Sequence, residues 1–247
     1  MIYFVSDAHI GSRAVADAKA HQQRFVDLLN TMSKDATHIF LLGDVFDFWF
    51  EYVWGNRAKR KAFGLVLDAL KQLTDKGIEV HYFTGNHDIW TFGWLARQTG
   101  VIIHREPYRT TLHGKNVLMA HGDEFSTSRS FLILRNVFHN RCLQVLFALL
   151  PPCVGDALGY KWAKHSRQKE LNNPIAYRGE DQEELVQFAK RYEPQEKIDY
   201  FIFGHRHIEL DLILSSCRRV VILGDFFKQW TYATLPANGE MSLMNYE

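Results

Sequence analysis

Apolar residues in this chain gather into short dense runs, and five of those runs end on a cluster of Asp, Asn, His and Gly. Residues 39–42 lead into Gly43-Asp44-Val45-Phe46-Asp47. The other endings are Ser6-Asp7-Ala8-His9, Gly85-Asn86-His87-Asp88, His121-Gly122-Asp123 and Gly204-His205-Arg206-His207. A short apolar run bounded by turn formers reads as a buried strand, so each cluster is expected at a strand's C-terminal tip. Gly43 ends its strand and lets the Asp44 carboxylate emerge. Phe25, Leu28, Leu29 and Met32 recur at helical spacing and predict a helix over residues 18–32. A second helix spans 57–75 and stops at Gly77. A strand over 78–84, a helix over 90–98 and a strand over 101–103 follow. The aromatic stretch 48–54 reads as a loop packed at the mouth of the site those tips create.

The second half is patterned differently. Residues 108–113 and 115–120 flank Gly114 as a hairpin. Residues 128–169 read as helical, broken at Pro151-Pro152 and at Gly155, and another helix covers 180–192. Strands are expected at 199–203, 209–214, 218–223, 230–234 and 241–246. An early βαβ portion before a β-rich portion predicts an α/β fold of the α+β type, two sheets face to face with helices outside. Residues 125–172 would be a helical insertion, a cap over the strand tips, within a single domain covering 1–247.

Composition narrows the partners. An apolar fraction of 47% is ample for a packed core, and a formal charge of +1 gives no electrostatic reason to expect a nucleic-acid binder. Cys142, Cys153 and Cys217 are far apart and form no CxxC, which argues against a disulfide framework or a cysteine zinc site and fits a reducing cytoplasm. The longest apolar run, residues 145–150, stops at Pro151-Pro152, well short of the roughly 18 residues of a membrane span. No basic leader precedes the first strand, which already carries Asp7 and His9. A cytoplasmic protein is expected, soluble or resting on a surface.

Each polar cluster alone is a weak signal: Asp-x-His is more often a loop than a ligand pair, and Gly-Asp is an ordinary turn. Their joint recurrence at strand tips is the stronger one, because carboxylates and imidazoles together suit divalent first-row metals. Two such cations about 3.5–4 Å apart clamp a phosphoryl group and lower the pKa of a bridging water, so that hydroxide exists near neutral pH. A carboxylate has two oxygens and can bridge two metals, and an imidazole cannot. Asp44 is therefore expected between them.

Asp7-x-His9, Gly43-Asp44, Gly85-Asn86-His87-Asp88, His121-Gly122 and Gly204-His205-x-His207 resemble the complete motif set of the calcineurin-like metallophosphoesterases, across residues 7–207. The resemblance implies a four-layer αββα sandwich and a dinuclear centre. Asp7, His9, Asp44 and His207 would hold the first metal; Asp44, Asn86, His121 and His205 would hold the second. His87 would stabilise the phosphoryl oxygens or protonate the leaving oxygen, and Asp88 would orient His87. Mixed carboxylate and imidazole ligation permits manganese, iron or zinc, and the resemblance favours manganese.

A closer resemblance concerns the substrate. Ser6-Asp7-Ala8-His9-Ile10, Gly43-Asp44-Val45-Phe46-Asp47 and the helical stretch after His121-Gly122-Asp123 resemble the UDP-2,3-diacylglucosamine hydrolases. Those enzymes cut the pyrophosphate of a nucleotide-linked acyl sugar, giving lipid X and UMP in lipid A synthesis. Arg135-x-x-Phe138-His139-Asn140, residues 146–151 and Ser166 are similar to their cap. The substrate contacts implied are Asn86, His87, Arg129, Arg135, Ser166 and His205. The chain departs from that group at His87, where the group has Arg, and at Ser128 or Arg129, where it has an acidic residue. The polar residues expected after Ser166 do not align with Gln168 to Asn173.

The cap's apolar surface is rimmed by Arg129, Arg135, Arg141, Lys161, Lys164, Arg167 and Lys169. That combination suits acyl chains, anionic head groups or peripheral contact with the inner membrane; its plain alternative is an amphipathic pair packed on the core. The competing functions are a phosphatase or phosphodiesterase of different range and a phosphoesterase fold kept only as a binding scaffold. Every metal position is filled, which argues against the scaffold.

Overall fold

Strand alternation explains the layers. The computed structural model describes residues 1–172, 176–192, 197–214 and 218–247, side chains excepted at 167–172. Cys217, Asn173 and the side chains of Arg167, Gln168 and Lys169 therefore lie outside the described residues. In β2 (His38–Leu42), Ile39 and Leu41 pack with Phe25 and Leu29 of helix α1 (Ala18–Met32) and with Val66 and Leu70 of α2 (Arg57–Asp75). Phe40 and Leu42 point the other way, into a core shared with Met119, Ile202 and Val221 of the second sheet.

Beyond that sheet, Leu185, Val186 and Ala189 of α7 (Glu184–Arg191) cover Phe201, Phe203 and Ile222. The order is helices, sheet, sheet, helix, the αββα sandwich. No helix among the described residues is long and apolar enough to cross a membrane.

Topology brings the polar clusters together. In the first sheet β1 (Ile2–Val5), β2, β3 (Glu79–Phe83) and β4 (Ile102–His104) are neighbours and parallel, so their C-terminal tips share one edge. Beside β1 the sheet is completed by β10 (Thr231–Leu235) and β11 (Ser242–Asn245), both antiparallel to their neighbours. In the second sheet β5 (Tyr108–Leu112) and β6 (Lys115–Ala120) form the expected hairpin. There β6, β7 (Tyr200–Phe203) and β9 (Arg219–Leu223) run parallel, and β8 (Glu209–Ile213) closes the far edge.

Among the described residues, α4 (Arg129–His139), α5 (Arg141–Ala148) and α6 (Pro152–Asn172) lie between β6 and α7. The chain breaks at Asn140, where no break is expected from the sequence, because the Asn140 side chain accepts from the Leu143 N–H at 3.1 Å and starts a new helix. Gly155, expected to break the helix, lies inside α6. With Gly159, one turn on, it forms a face without side chains. A Cβ at 155 would fall 2.4 Å from the Tyr52 hydroxyl, and one at 159 would fall 2.1 Å from the Phe48 ring. The aromatic stretch is thus a floor under α5 and α6: Phe48, Trp49, Phe50 and Tyr52 are buried, and only Val53 and Trp54 reach solvent.

The helix expected over 90–98 is shorter, α3 (Trp94–Thr99). Buried Glu51 explains its start, accepting from the N–H groups of Phe92, Trp94 and Leu95 at 2.6–2.9 Å.

Along β3 and β4, His81 and His104 stack between Phe40, Phe83 and Tyr108, with His81 Nδ1 2.9 Å from His104 Nε2. Burial lowers both, and with the neighbouring His81 brings His104 to about 4. Their unfolded value is near 6.5, so the contribution is full above about pH 6.5 and lost as pH falls towards 4. Denaturant midpoints measured at pH 7.5 and 5 should drop further for the wild type than for His104→Phe; equal drops would contradict this origin.

Candidate metal centre

Five residues of the strand-tip clusters sit in backbone conformations that side chains avoid. Asp7, His9, Asp44, His205 and His207 have φ of 52°, 44°, 51°, 66° and 49°. Such strain persists where surrounding contacts over-determine it, and here they do. Asp7 N–H donates to the Gly43 carbonyl at 3.1 Å and His9 N–H to the Asp44 carbonyl at 2.9 Å, tying the first tip to the second. His205 N–H donates to Asp7 Oδ2 at 2.9 Å, tying the sheets together. Gly85 is required by proximity, since a Cβ there would meet Asp44 Oδ1 at 2.2 Å.

The side chains converge. Asp7, His9 and His207 present ligand atoms to one point, as do Asp7, Asp44 and His121, and as do His9, Asp44 and His87. His9 Nε2 and His207 Nε2 face each other at 3.3 Å, an arrangement of two lone pairs that favours a cation between them. Asp7 Oδ1 is buried without a hydrogen-bond partner and lies 3.7 Å and 3.3 Å from those same nitrogens. Asp44 Oδ2 lies 3.8 Å from His9 Nε2 and 3.6 Å from His121 Nε2. Asn86 Oδ1 is 3.3 Å from His121 Nε2, and the His205 ring centroid is 5.1 Å from that of His121. An orphaned carboxylate oxygen among inward-facing imidazole nitrogens fits divalent metal ions.

The outer ring nitrogens fix the tautomers. His121 donates from Nδ1 to the Leu42 carbonyl at 2.8 Å and leaves Nε2 aimed inward. Behind His9 stands Asp47, 3.6 Å from Nδ1, and behind His207 stands Asp225, 3.5 Å from Nδ1. The residue pattern alone assigns neither carboxylate this role, although Asp47 belongs to the central motif and Leu223-Gly224-Asp225 repeats the strand-tip design. Arg206, between His205 and His207, pairs with buried Glu183 at the start of α7 and steadies that tip.

Electrostatics follow the same geometry. Burial opposes ionisation of Asp7 and Asp44. His207 and His9 nevertheless hold Asp7 well below the usual carboxylate range, and His121, His87 and His9 do so for Asp44. Burial would lower His121, but Asp44, Asp7 and Asp123 raise it well above an ordinary histidine. His205 is brought down to about 4 by burial and by His121.

One expected pairing is corrected. Asp88 does not orient His87. His87 donates from Nδ1 to the Asp47 carbonyl at 2.7 Å, which leaves Nε2 free towards the cluster. The Asp88 carboxylate instead accepts from the backbone N–H groups of Asp44, Val45, Phe46 and Gly85 at 2.7–3.4 Å and from the Tyr82 hydroxyl at 2.5 Å. It staples two strand tips. Burial and the Asp44 charge push Asp88 up to about 7, against the pull of Tyr82 and Gly85.

Among the expected substrate contacts, Arg135 pairs with Asp123 at 2.9 Å and lines a small pocket with Asn86, His139 and Trp162. Arg129 is exposed at the start of α4, and Ser166 is half-buried on α6.

Where strand tips from both sheets deliver carboxylates and imidazoles to one buried point, the chemistry on offer is that of a metal-dependent phosphoester hydrolase. The chain belongs to the calcineurin-like phosphoesterases, whose family model matches residues 1–209. It is similar to the UDP-2,3-diacylglucosamine hydrolase of Porphyromonas gingivalis, 36% identical over 245 residues that cover 94% of this chain and 92% of that one. The enzyme of the same name from Haemophilus influenzae is 27% identical over 235 residues, 92% and 91% of the two chains. Among solved structures, a dimetal phosphatase from Danio rerio aligns at a TM-score of 0.48 and 14% identity, over 100% of this chain and 98% of that one.

Proposed function

We propose that the chain hydrolyses the pyrophosphate of UDP-2,3-diacylglucosamine, releasing lipid X and UMP, with two divalent metal ions, manganese favoured. The observation that carries this reading is an apolar cavity of about 300 Å³ beside the cluster, lined by Phe48, Phe50, Phe138, Phe147, Leu158 and Trp162 among others. Phe138 and Trp162 also line the small pocket that holds Asn86, Asp123 and Arg135. An amphiphile with acyl chains in the first space and phosphates near the second would place its pyrophosphate at the strand tips. The relatives named above support the same substrate.

In this reading Asp7, His9, Asp44 and His207 hold one ion, and Asp44, Asn86, His121 and His205 the other. Bound there, divalent cations neutralise phosphoryl charge and lower the pKa of a coordinated water. Asp47 and Asp225 keep His9 and His207 turned inward. With Nδ1–H engaged by the Asp47 carbonyl, His87 acts as the imidazolium, whose second proton on Nε2 steadies a phosphoryl oxygen or passes to the leaving oxygen. Arg135, within reach of the same pocket, meets the anionic substrate.

Residues 125–172 act as the cap of a single domain. Its outer face exposes Ile133, Val145, Leu146 and Leu149, with Val53 and Trp54 alongside. A cytoplasmic enzyme resting peripherally on the inner membrane by that face would take its substrate from the lipid. The competing reading, a phosphodiesterase of different range, draws on His87, where the diacylglucosamine group has Arg.

Steady-state turnover of the acylated UDP-sugar and of bis(p-nitrophenyl) phosphate separates the two. Leu158→Glu puts a charge in the cavity wall. Losing the burial of three or four methylenes, about 0.8 kcal/mol each, should raise KM for the acylated substrate on the order of a hundredfold. The small diester should be untouched. Equal effects on both, or no turnover of the acylated sugar by the wild type, would contradict the proposal.

A further inference from the structure

Helix α6 reaches the reaction centre through Trp162. Its ring centroid lies 4.9 Å from that of His87 and 5.0 Å from that of Phe138, which it meets edge-on. His87 also meets the His9 ring at 5.1 Å, edge-on. The imidazole therefore packs against both a member of the cluster and the indole. A side-chain hydrogen bond from Nδ1 to the Asp47 carbonyl at 2.7 Å fixes the tautomer. A ring held at one nitrogen can still rock about that bond, and packing against the His9 and Trp162 rings restrains it.

The indole is itself held in register. Asp156, six residues earlier on α6 and about 9 Å along its axis, accepts from Lys59 Nζ at 2.9 Å and from the Tyr52 hydroxyl at 3.0 Å. Lys59 is 2% exposed and lies among the rings of Phe48, Trp49 and Tyr160, so its ammonium has little water to turn to. With Gly155 and Gly159 seated on Tyr52 and Phe48, α6 has little freedom to slide. Trp162 is also the wall between the apolar cavity and the small pocket at the cluster.

We propose that Trp162 is a positioning residue for His87: its indole, fixed by the Lys59–Asp156–Tyr52 anchor, holds the imidazole with Nε2 towards the phosphoryl site. The inference rests on the reading of His87 given above. It assigns the cap a part in the chemistry as well as in substrate choice, and it applies even to substrates that leave the apolar cavity empty.

The test uses bis(p-nitrophenyl) phosphate and the metal-loaded full-length protein. Trp162→Ala should lower kcat about tenfold or more, the scale on which a small misplacement of a working group acts, with KM and metal content within about twofold. Trp162→Leu, which fills the space without a ring, should do the same and guards against a variant that merely misfolds. Trp162→Phe should recover most of the rate. In a His87→Ala background Trp162→Ala should cost nothing further, because its effect passes through His87. Additive losses would overturn the proposal. So would a Trp162→Ala defect seen only as a raised KM for the acylated sugar, which would make the indole a cavity wall alone. If His87→Ala by itself leaves kcat unchanged, the role of His87 fails first, and that single variant tells the two failures apart.

Discussion

Asp44→Ala should abolish turnover and strip the centre of metal together. Asp44 lies near the middle of the cluster, with Oδ2 close to both His9 and His121 and Oδ1 accepting the His87 N–H at 2.9 Å. Removing it takes away the oxygens shared by both halves of the centre and leaves facing imidazoles without a counter-charge. Cations held there would supply several kcal/mol of charge stabilisation in the transition state, so the rate should fall on the order of a thousandfold or more. Asp44→Asn keeps the shape, removes the charge and should behave almost as badly. Turnover of bis(p-nitrophenyl) phosphate beside elemental analysis of the same sample checks both; retention of both by Asp44→Ala would rule out the shared carboxylate.

His87→Ala should separate what Asp44→Ala joins. His87 lies close enough to His9 and Asp44 to offer a ligand atom, yet the proposed function gives it the phosphoryl group. Loss of a positioned acid or electrophile costs about 10²–10⁴ in rate, and the effect belongs in kcat with metal content intact. Metal lost in step with activity would make His87 a ligand. Unchanged turnover would remove it from the reaction.

Much of this architecture is legible in the sequence, for a simple physical reason. Short apolar runs that end on a glycine or polar cluster read as buried strands, and the cluster marks where each strand leaves the core. The meeting of Asp7, Asp44 and Asn86 then follows from parallel neighbours sharing an edge in the first sheet, and that of His121 and His205 from the same arrangement of β6 and β7 in the second. Three features are less legible because they depend on backbone groups or distant partners. Asp88 reads like a side-chain partner of His87, but its carboxylate serves backbone N–H groups that no residue pattern reveals. Gly155 reads like a helix breaker, and only the Tyr52 ring beneath it explains a glycine inside α6. Asn140 splits one expected helix in two through a cap that its neighbours do not announce. Asp47 and Asp225 lie within or beside strand-tip patterns, but their service to His9 and His207 appears only once both sheets are in place.

The central claim is that one carboxylate joins two cations at the meeting of two sheets, and anomalous scattering from a manganese-loaded crystal tests it most directly. The account predicts two peaks flanking Asp44, one beside Asp7, His9 and His207 and the other beside Asn86, His121 and His205. A single peak, or peaks away from Asp44, would contradict it.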